Sequence, residues 1–173
     1  MSQKKRNSVF SDKKGNAILD TITFMVIGIA FVFLLMILYP IFNEVNLDIQ
    51  NEADMDNFSK NVSNTQYTNF PLVFDNLFLI LLLAFWLLLL VASYMIDAHP
   101  IFFIFTVILI AILVIAAAMF SNGYEELSAD ADFNNFGDAF PTIHFFMEHM
   151  VKFIIGMAFS VALVMFGKAR GIS

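Results

Sequence analysis

The sequence predicts an all-α integral membrane protein with four transmembrane helices and both termini on the same side of the membrane. Of its 173 residues, 60% are hydrophobic and only 14% are charged, whereas soluble domains average about 45–50% apolar and about 25% charged residues. Each of the four apolar stretches is long enough to cross ~30 Å of hydrocarbon as a helix of ~20 residues. These stretches are 17–39, 77–96, 101–120 and 145–166.

The first transmembrane helix is expected at 17–42, after a basic tail at 1–16. Pro40 is expected to kink this helix or to end it. We expect the helix to resume after Pro40 and to project beyond the membrane, so the distal segment 43–71 is predicted to be acidic and partly helical. Apolar residues recur there at the helical spacing of three or four, at Phe42, Val45, Ile49 and Ala53.

The second and third transmembrane helices are expected at 72–96 and 101–121, joined by a short turn at 97–100. Both stretches are hydrophobic on every side, which is typical of a helix that faces no water. Asp75 and Asn76 stand where the second helix is expected to begin, and side chains of these types commonly cap helix N-termini. The sequence therefore predicts that they cap the second helix.

The fourth transmembrane helix is expected at 145–167, between an acidic distal loop at 122–144 and a basic C-terminus at 168–173. Its first turns contain a polar cluster in which His144, Glu148 and Lys152 are spaced four residues apart. The order of these residues differs from the H-E-x-x-H pattern of zinc sites. Ion pairs between neighbours on one helical stripe are therefore expected.

The distribution of charge predicts the orientation. Seven of the nine Lys and Arg residues lie near the two termini, and the positive-inside rule places such ends on the cytoplasmic side of the membrane or its topological equivalent. The connections predicted on the opposite side are acidic. Five carboxylates there are candidate partner-facing residues, namely Glu44, Asp48, Glu52, Asp54 and Asp56.

Polar residues at membrane depth are costly and are often functional, and Asp20, Glu148 and Lys152 are the candidates here. Asp20 has two kinds of interpretation. It is either a functional group, namely a proton or ion site or a partner for Lys168 across the bundle, or an interfacial carboxylate near a helix N-terminus, which the helix dipole favours. The sequence does not bring together a nucleophile, a base and an orienting group. We therefore predict that the protein is not an enzyme and needs no cofactor, metal or small-molecule substrate.

Several short segments together resemble a known group of proteins. They are a basic tail leading into Lys14-Gly15-Asn16-Ala17-Ile18-Leu19-Asp20, then 46–50, 91–105, 121–126 and 167–170. Over about 13–170, the chain resembles small four-span membrane proteins of tailless icosahedral double-stranded DNA viruses that carry an internal membrane. The resemblance implies a structural protein of the virion membrane, lying beneath the capsid shell as a minor capsid-associated component.

That resemblance implies partners on both faces of the membrane. The acidic segment 43–71 would meet capsid proteins or other copies of the chain. The basic residues would meet anionic headgroups, or packaged DNA through salt-sensitive phosphate contacts. They are Lys4, Lys5, Arg6, Lys13 and Lys14.

Two other functions are compatible with four membrane spans. A holin or small channel is one alternative, but a pore needs polar residues repeated along one helical face, and the second and third spans offer almost none. An assembly factor for a host membrane complex is the other.

Overall fold

A computed structural model describes residues 13–95 and 100–171, and this part of the chain is helical throughout apart from short turns. Residues 1–12 of the basic tail predicted at 1–16, and most of the turn predicted at 97–100, lie outside the described residues. Residues 13–16 of that tail belong to a helix. Six helices are present in the described ranges. They are α1 (Lys13–Asn51), α2 (Asn57–Met95), α3 (Pro100–Ser128), α4 (Phe136–Ala139), α5 (Pro141–Glu148) and α6 (Met150–Gly171).

Four of these helices are long and apolar enough to cross a membrane. Among the described residues, the helical stretches that contain these apolar segments are Val26–Asn51 in α1, Asn57–Tyr94 in α2, Ile110–Ser128 in α3 and Met150–Gly167 in α6. Large apolar side chains such as Leu88, Ile115 and Phe159 are exposed on them, and lipid is the solvent in which such surfaces are stable. The predictions of an all-α fold and of four membrane helices are confirmed, and the chain is an integral membrane protein.

The helices pack in the order α1, α2, α6, α3. Helices α1 and α2 are antiparallel, because Tyr39 contacts Tyr67 while Gln50 contacts Lys60. Helix α2 runs parallel to α5 and α6: Asp75 contacts Thr142, and Trp86, further along α2, donates a hydrogen bond to Ser160. Helix α3 is antiparallel to α5 and α6, as the contacts of Ser121 with Met147 and of Tyr124 with His144 show.

The most deeply buried side chains collect at the end of the bundle where α4 and α5 lie. Phe136, Phe140 and Ile143 from this part of the chain pack with Leu35 and Met36 of α1. Towards the middle of the spans, α1, α2 and α6 enclose an apolar cavity of about 200 Å³. Gly28 lines this cavity, and a Cβ atom there would meet no atom within 4 Å.

Two helices are longer than the apolar pattern predicts. Helix α1 continues through Pro40 to Asn51, and α2 begins at Asn57 and contains Pro71. The first turns of α2 are rich in Asn, Ser and Thr, which have modest helix propensity. Packing against α1 stabilises them instead, since tertiary contacts supply most helix stability in proteins.

The acidic loop expected at 122–144 is also largely helical. Helix α3 extends to Ser128, and the short α4 and α5 follow before α6 begins at Met150. The predicted fourth span is therefore divided by a break at His149, whose backbone is not helical.

Candidate functional site

The C-terminal part of α1 and the N-terminal part of α2 form a helical hairpin. It is here called the distal hairpin and is defined as residues 40–71. Its turn at 52–56 is the only non-helical part. Twelve residues of α1 from Pro40 to Asn51 correspond to a length of about 18 Å. The hairpin therefore extends the first two membrane helices as a paired rod.

Polar side chains join the two arms of the distal hairpin near its tip. The Gln50 side-chain amide donates to the Lys60 carbonyl at 2.8 Å, and the Lys60 ammonium donates to the Gln50 carbonyl at 2.9 Å. One helical turn further from the hairpin tip, the Ser63 hydroxyl donates to the Oδ1 atom of the buried Asn46 at 2.8 Å. These interhelical hydrogen bonds fix the register of the two arms.

Aromatic side chains join the arms at the base of the hairpin. The rings of Tyr39 and Tyr67 are stacked with centroids 5.8 Å apart, and their hydroxyl oxygens are 3.1 Å apart. Phe42 and Phe70 pack beside them with a centroid separation of 5.1 Å. Tyrosine is favoured at the boundary between lipid and water, so this cluster lies where the hairpin leaves the apolar part of the bundle.

The carboxylates predicted to face a partner are all on the outer surface of the distal hairpin. Each of the five is exposed, and Phe58 beside them is 74% exposed. The hairpin therefore presents negative charge and an accessible aromatic side chain on two arms that hydrogen bonds hold together. The five residues are Glu44, Asp48, Glu52, Asp54 and Asp56.

Asp56 has a structural role within this acidic surface, because it precedes the first residue of α2. Its Oδ1 atom accepts a hydrogen bond from the Ser59 backbone N–H at 3.1 Å. Hydrogen bonds from the Ser59 hydroxyl and then from the Ser59 backbone lower the pKa of Asp56 below its ordinary value. A carboxylate at this position caps the helix N-terminus.

The lowered pKa of Asp56 predicts a loss of order in the first turn of α2 at acid pH. A group whose folded pKa is lowered stabilises the fold above its unfolded pKa, and that contribution is lost as pH falls through the folded pKa. We expect hydrogen exchange of the Ser59 amide, corrected for intrinsic rates, to quicken below about pH 4. In Asp56→Asn, whose amide caps without titrating, the protection should not change with pH. Equal pH dependence in both proteins would contradict this role for Asp56.

Helices α4 and α5, residues 136–148, form an interfacial cap beside the base of the hairpin. The N-terminus of α5 is preceded by Phe140, which offers no capping side chain. Asp75 of α2 supplies the acceptors instead: its Oδ2 atom accepts from the Thr142 N–H at 3.1 Å and its Oδ1 atom from the Ile143 N–H at 2.9 Å. Asp75 therefore caps α5, and the prediction that it caps α2 is wrong because α2 begins at Asn57.

Hydrogen bonds attach α3 to the interfacial cap. The buried Tyr124 hydroxyl lies 2.8 Å from His144 Nδ1, and His144 Nε2 lies 3.2 Å from Glu148 Oε1. With the imidazole proton on Nε2, His144 accepts from Tyr124 and donates to Glu148. The Ser121 hydroxyl donates to the Met147 carbonyl at 2.8 Å, next to the break at His149.

The polar cluster of the fourth span is only partly as expected. Glu148 pairs with His144, but within the described residues it forms no ion pair with Lys152. The break at His149 separates Glu148, the last residue of α5, from Lys152 in α6, so the two no longer share one helical stripe. Both side chains are exposed.

The remaining predicted positions lie outside what the structure describes. Residues 4–6 precede the described range. Lys13, Lys14 and Asp20 are within α1, but their side chains are not among those described. Within residues 13–95 and 100–171, no three His, Asp or Glu side chains come together to hold a metal ion. The arrangement is suited to binding through exposed charge and aromatic side chains.

Sequence reasoning missed the contacts that join separate helices. Asp75 was recognised as a cap but was assigned to the wrong helix. The signal for the correct assignment was Pro141, because proline favours the first turn of a helix and Phe140 before it cannot cap. The contact between Gln50 and Lys60 had no local signal, since it depends on the register of two helices.

Comparisons of the chain with protein-family models, with curated proteins and with solved structures find no match.

Proposed function

We propose that this protein is a structural integral membrane protein of a viral internal membrane, and that its distal hairpin links the bilayer to the capsid shell. The observation that carries the proposal is the distal hairpin itself. Interhelical hydrogen bonds hold its acidic tip on the same two helices that cross the membrane. A force applied at the tip would therefore be transmitted to the membrane helices without an intervening flexible linker.

The surface of the hairpin favours a protein partner with basic side chains. Exposed carboxylates steer a positively charged partner and set its register, and an exposed aromatic residue such as Phe58 is a common energetic anchor of interfaces. The assignment to a virion follows from the resemblance of several segments to small membrane proteins of viruses with internal membranes.

We further propose that both termini face the virion interior. Seven of the nine cations lie near the chain ends, and the positive-inside rule would then place the carboxylates of the distal hairpin on the opposite face. The basic tail, including Lys4, Lys5 and Arg6, would then meet anionic headgroups or packaged DNA. Such contacts weaken steeply with added salt because they release counterions.

The role of the hairpin is tested by neutralising four of its carboxylates. In the quadruple variant, Glu44→Gln, Asp48→Asn, Glu52→Gln and Asp54→Asn are combined. We expect a smaller amount of this variant to remain bound to capsid shells after mild detergent removes the lipid. Exposed ion pairs contribute about 0.2–1 kcal/mol each, so the loss of four should lower retention per coat protein at least roughly fourfold. Asp56 is left unchanged because it caps α2.

The matched control removes the same number of charges from the other acidic connection, at Glu125, Glu126, Asp130 and Asp132, which are also exposed. Retention of this control should equal that of the unmodified chain. Equal losses in both variants would assign the effect to net charge rather than to the hairpin. Rapid loss of membrane potential on expression of the chain alone would instead indicate a permeability protein.

A further inference from the structure

A cavity of about 420 Å³ lies between the base of the distal hairpin and the interfacial cap. Its walls come from α1, α2, α4 and α5, and include Tyr39, Tyr67 and Asp75 together with Asp138 of α4. Its volume is within the range of about 300–1,000 Å³ that is typical of small-molecule sites. The structural role of the hairpin does not use this cavity.

The cavity lies at the level where polar and apolar parts of three helices meet. Tyr39 is the last residue of the apolar stretch of α1 before Pro40, and Asp75 shortly precedes the apolar run of α2 that begins at Leu77. Pro141, which also lines the cavity, follows the acidic loop. Lipid headgroups occupy this level in a bilayer, and tyrosine side chains are favoured there.

The lining of the cavity is negative and aromatic. Its charged members are the carboxylates of Asp75 and Asp138, and among the residues that the structure describes no Lys, Arg or His lines it. Each Asp75 oxygen already accepts one backbone N–H, whereas Asp138 is exposed. The stacked rings of Tyr39 and Tyr67 also line the cavity, and the other walls are mainly apolar. They come from Thr68, Pro71, Leu72, Ala139 and Pro141.

This chemistry is complementary to an organic cation. Aromatic rings attract ammonium groups through their negative faces, and apolar walls suit the carbons attached to the nitrogen. A hard divalent cation needs six or more oxygen ligands, whereas here only two carboxylates are present and one of them is engaged in capping α5. We propose that the cavity binds the ammonium group of a phosphatidylethanolamine or phosphatidylcholine headgroup.

Native mass spectrometry of the full-length protein in detergent tests this assignment. Equimolar phosphatidylethanolamine and phosphatidylglycerol with identical acyl chains would compete for the protein, and the ratio of the two bound species would be measured. We expect the ethanolamine lipid to exceed the glycerol lipid severalfold. In Asp138→Asn the ratio should fall roughly two- to fivefold, as for the loss of one exposed charge pair. Phosphatidylcholine should behave like phosphatidylethanolamine.

Asp132→Asn is the matched control, because Asp132 is an exposed carboxylate of the same connection outside the cavity. Its lipid ratio should equal that of the unmodified protein. The ratio is independent of the overall quantity of folded protein. Equal binding of the two lipids, or an unchanged ratio in Asp138→Asn, would overturn the proposal. Free ethanolamine at millimolar concentration should compete weakly, and displacement as effective as that by the lipid would identify a soluble amine as the ligand instead.

Discussion

Replacing Phe140 with alanine is expected to lower the free energy of unfolding by about 3–5 kcal/mol, the usual cost of deleting a buried phenylalanine side chain. Phe140 is fully buried, and its ring contacts Tyr39 edge-on at 5.3 Å, Phe70 at 6.2 Å and the stacked ring of Phe136 at 4.5 Å. It therefore joins the interfacial cap to both helices of the distal hairpin. Unfolding in mixed micelles, followed by the fluorescence of the single tryptophan, Trp86, measures the change.

Phe145→Ala provides the comparison for Phe140. Phe145 is in the same short helix, α5, but is 55% exposed, so its removal should cost less than half as much. A loss below about 1 kcal/mol in Phe140→Ala would contradict the importance of this contact, because even partial collapse of a buried phenylalanine site costs more than that.

Replacing Asp75 with alanine is the second change with a large expected effect. The substitution leaves the Thr142 and Ile143 amides without their acceptor in a site where Asp75 itself is only 7% exposed. Hydrogen bonds to a charged group contribute about 1.5–3 kcal/mol, and loss of a helix cap costs about 0.5–2 kcal/mol. We expect an overall destabilisation of about 2–4 kcal/mol, measured by the same unfolding experiment.

Two further variants separate capping from general disruption at this position. Asp75→Asn keeps one acceptor oxygen and should recover part of the stability. Asn76→Ala changes the exposed neighbour and should have little effect. The capping role of Asp75 would be refuted if Asp75→Ala and Asn76→Ala unfolded at the same denaturant concentration.

The sequence predicts the membrane helices well because their signal is local. A stretch such as 101–120 is apolar on every side, and no neighbouring segment is needed to identify it as a helix in lipid. The exposure of the hairpin carboxylates can also be predicted from the local sequence, since charged residues such as Glu44 and Asp48 are rarely buried without partners. These features follow from the composition of single segments.

The features that the sequence did not predict depend on pairs of helices. The helical state of 57–70 is stabilised by α1 rather than by the propensity of its own polar residues. Asp75 looks like the cap of its own helix until the structure places the start of α5 beside it. The break at His149 was not predicted either. The tertiary contacts around it, such as the hydrogen bond from Ser121 to Met147, join residues that are remote in sequence.

The contacts of the hairpin tip and those of Asp75 with α5 differ in sequence separation, and this difference affects the order in which the chain folds during synthesis. The polar contacts between Gln50 and Lys60 link residues 10 apart, whereas Asp75 and Thr142 are 67 apart. A nascent chain that has reached Ser63 already contains every residue of the hydrogen bonds at the hairpin tip. Asp75, in contrast, cannot bind the Thr142 and Ile143 amides until α5 emerges from the ribosome. Loop closure over longer separations is also slower. The first two helices can therefore assemble as one early unit, and the docking of α5 onto that unit completes the molecule.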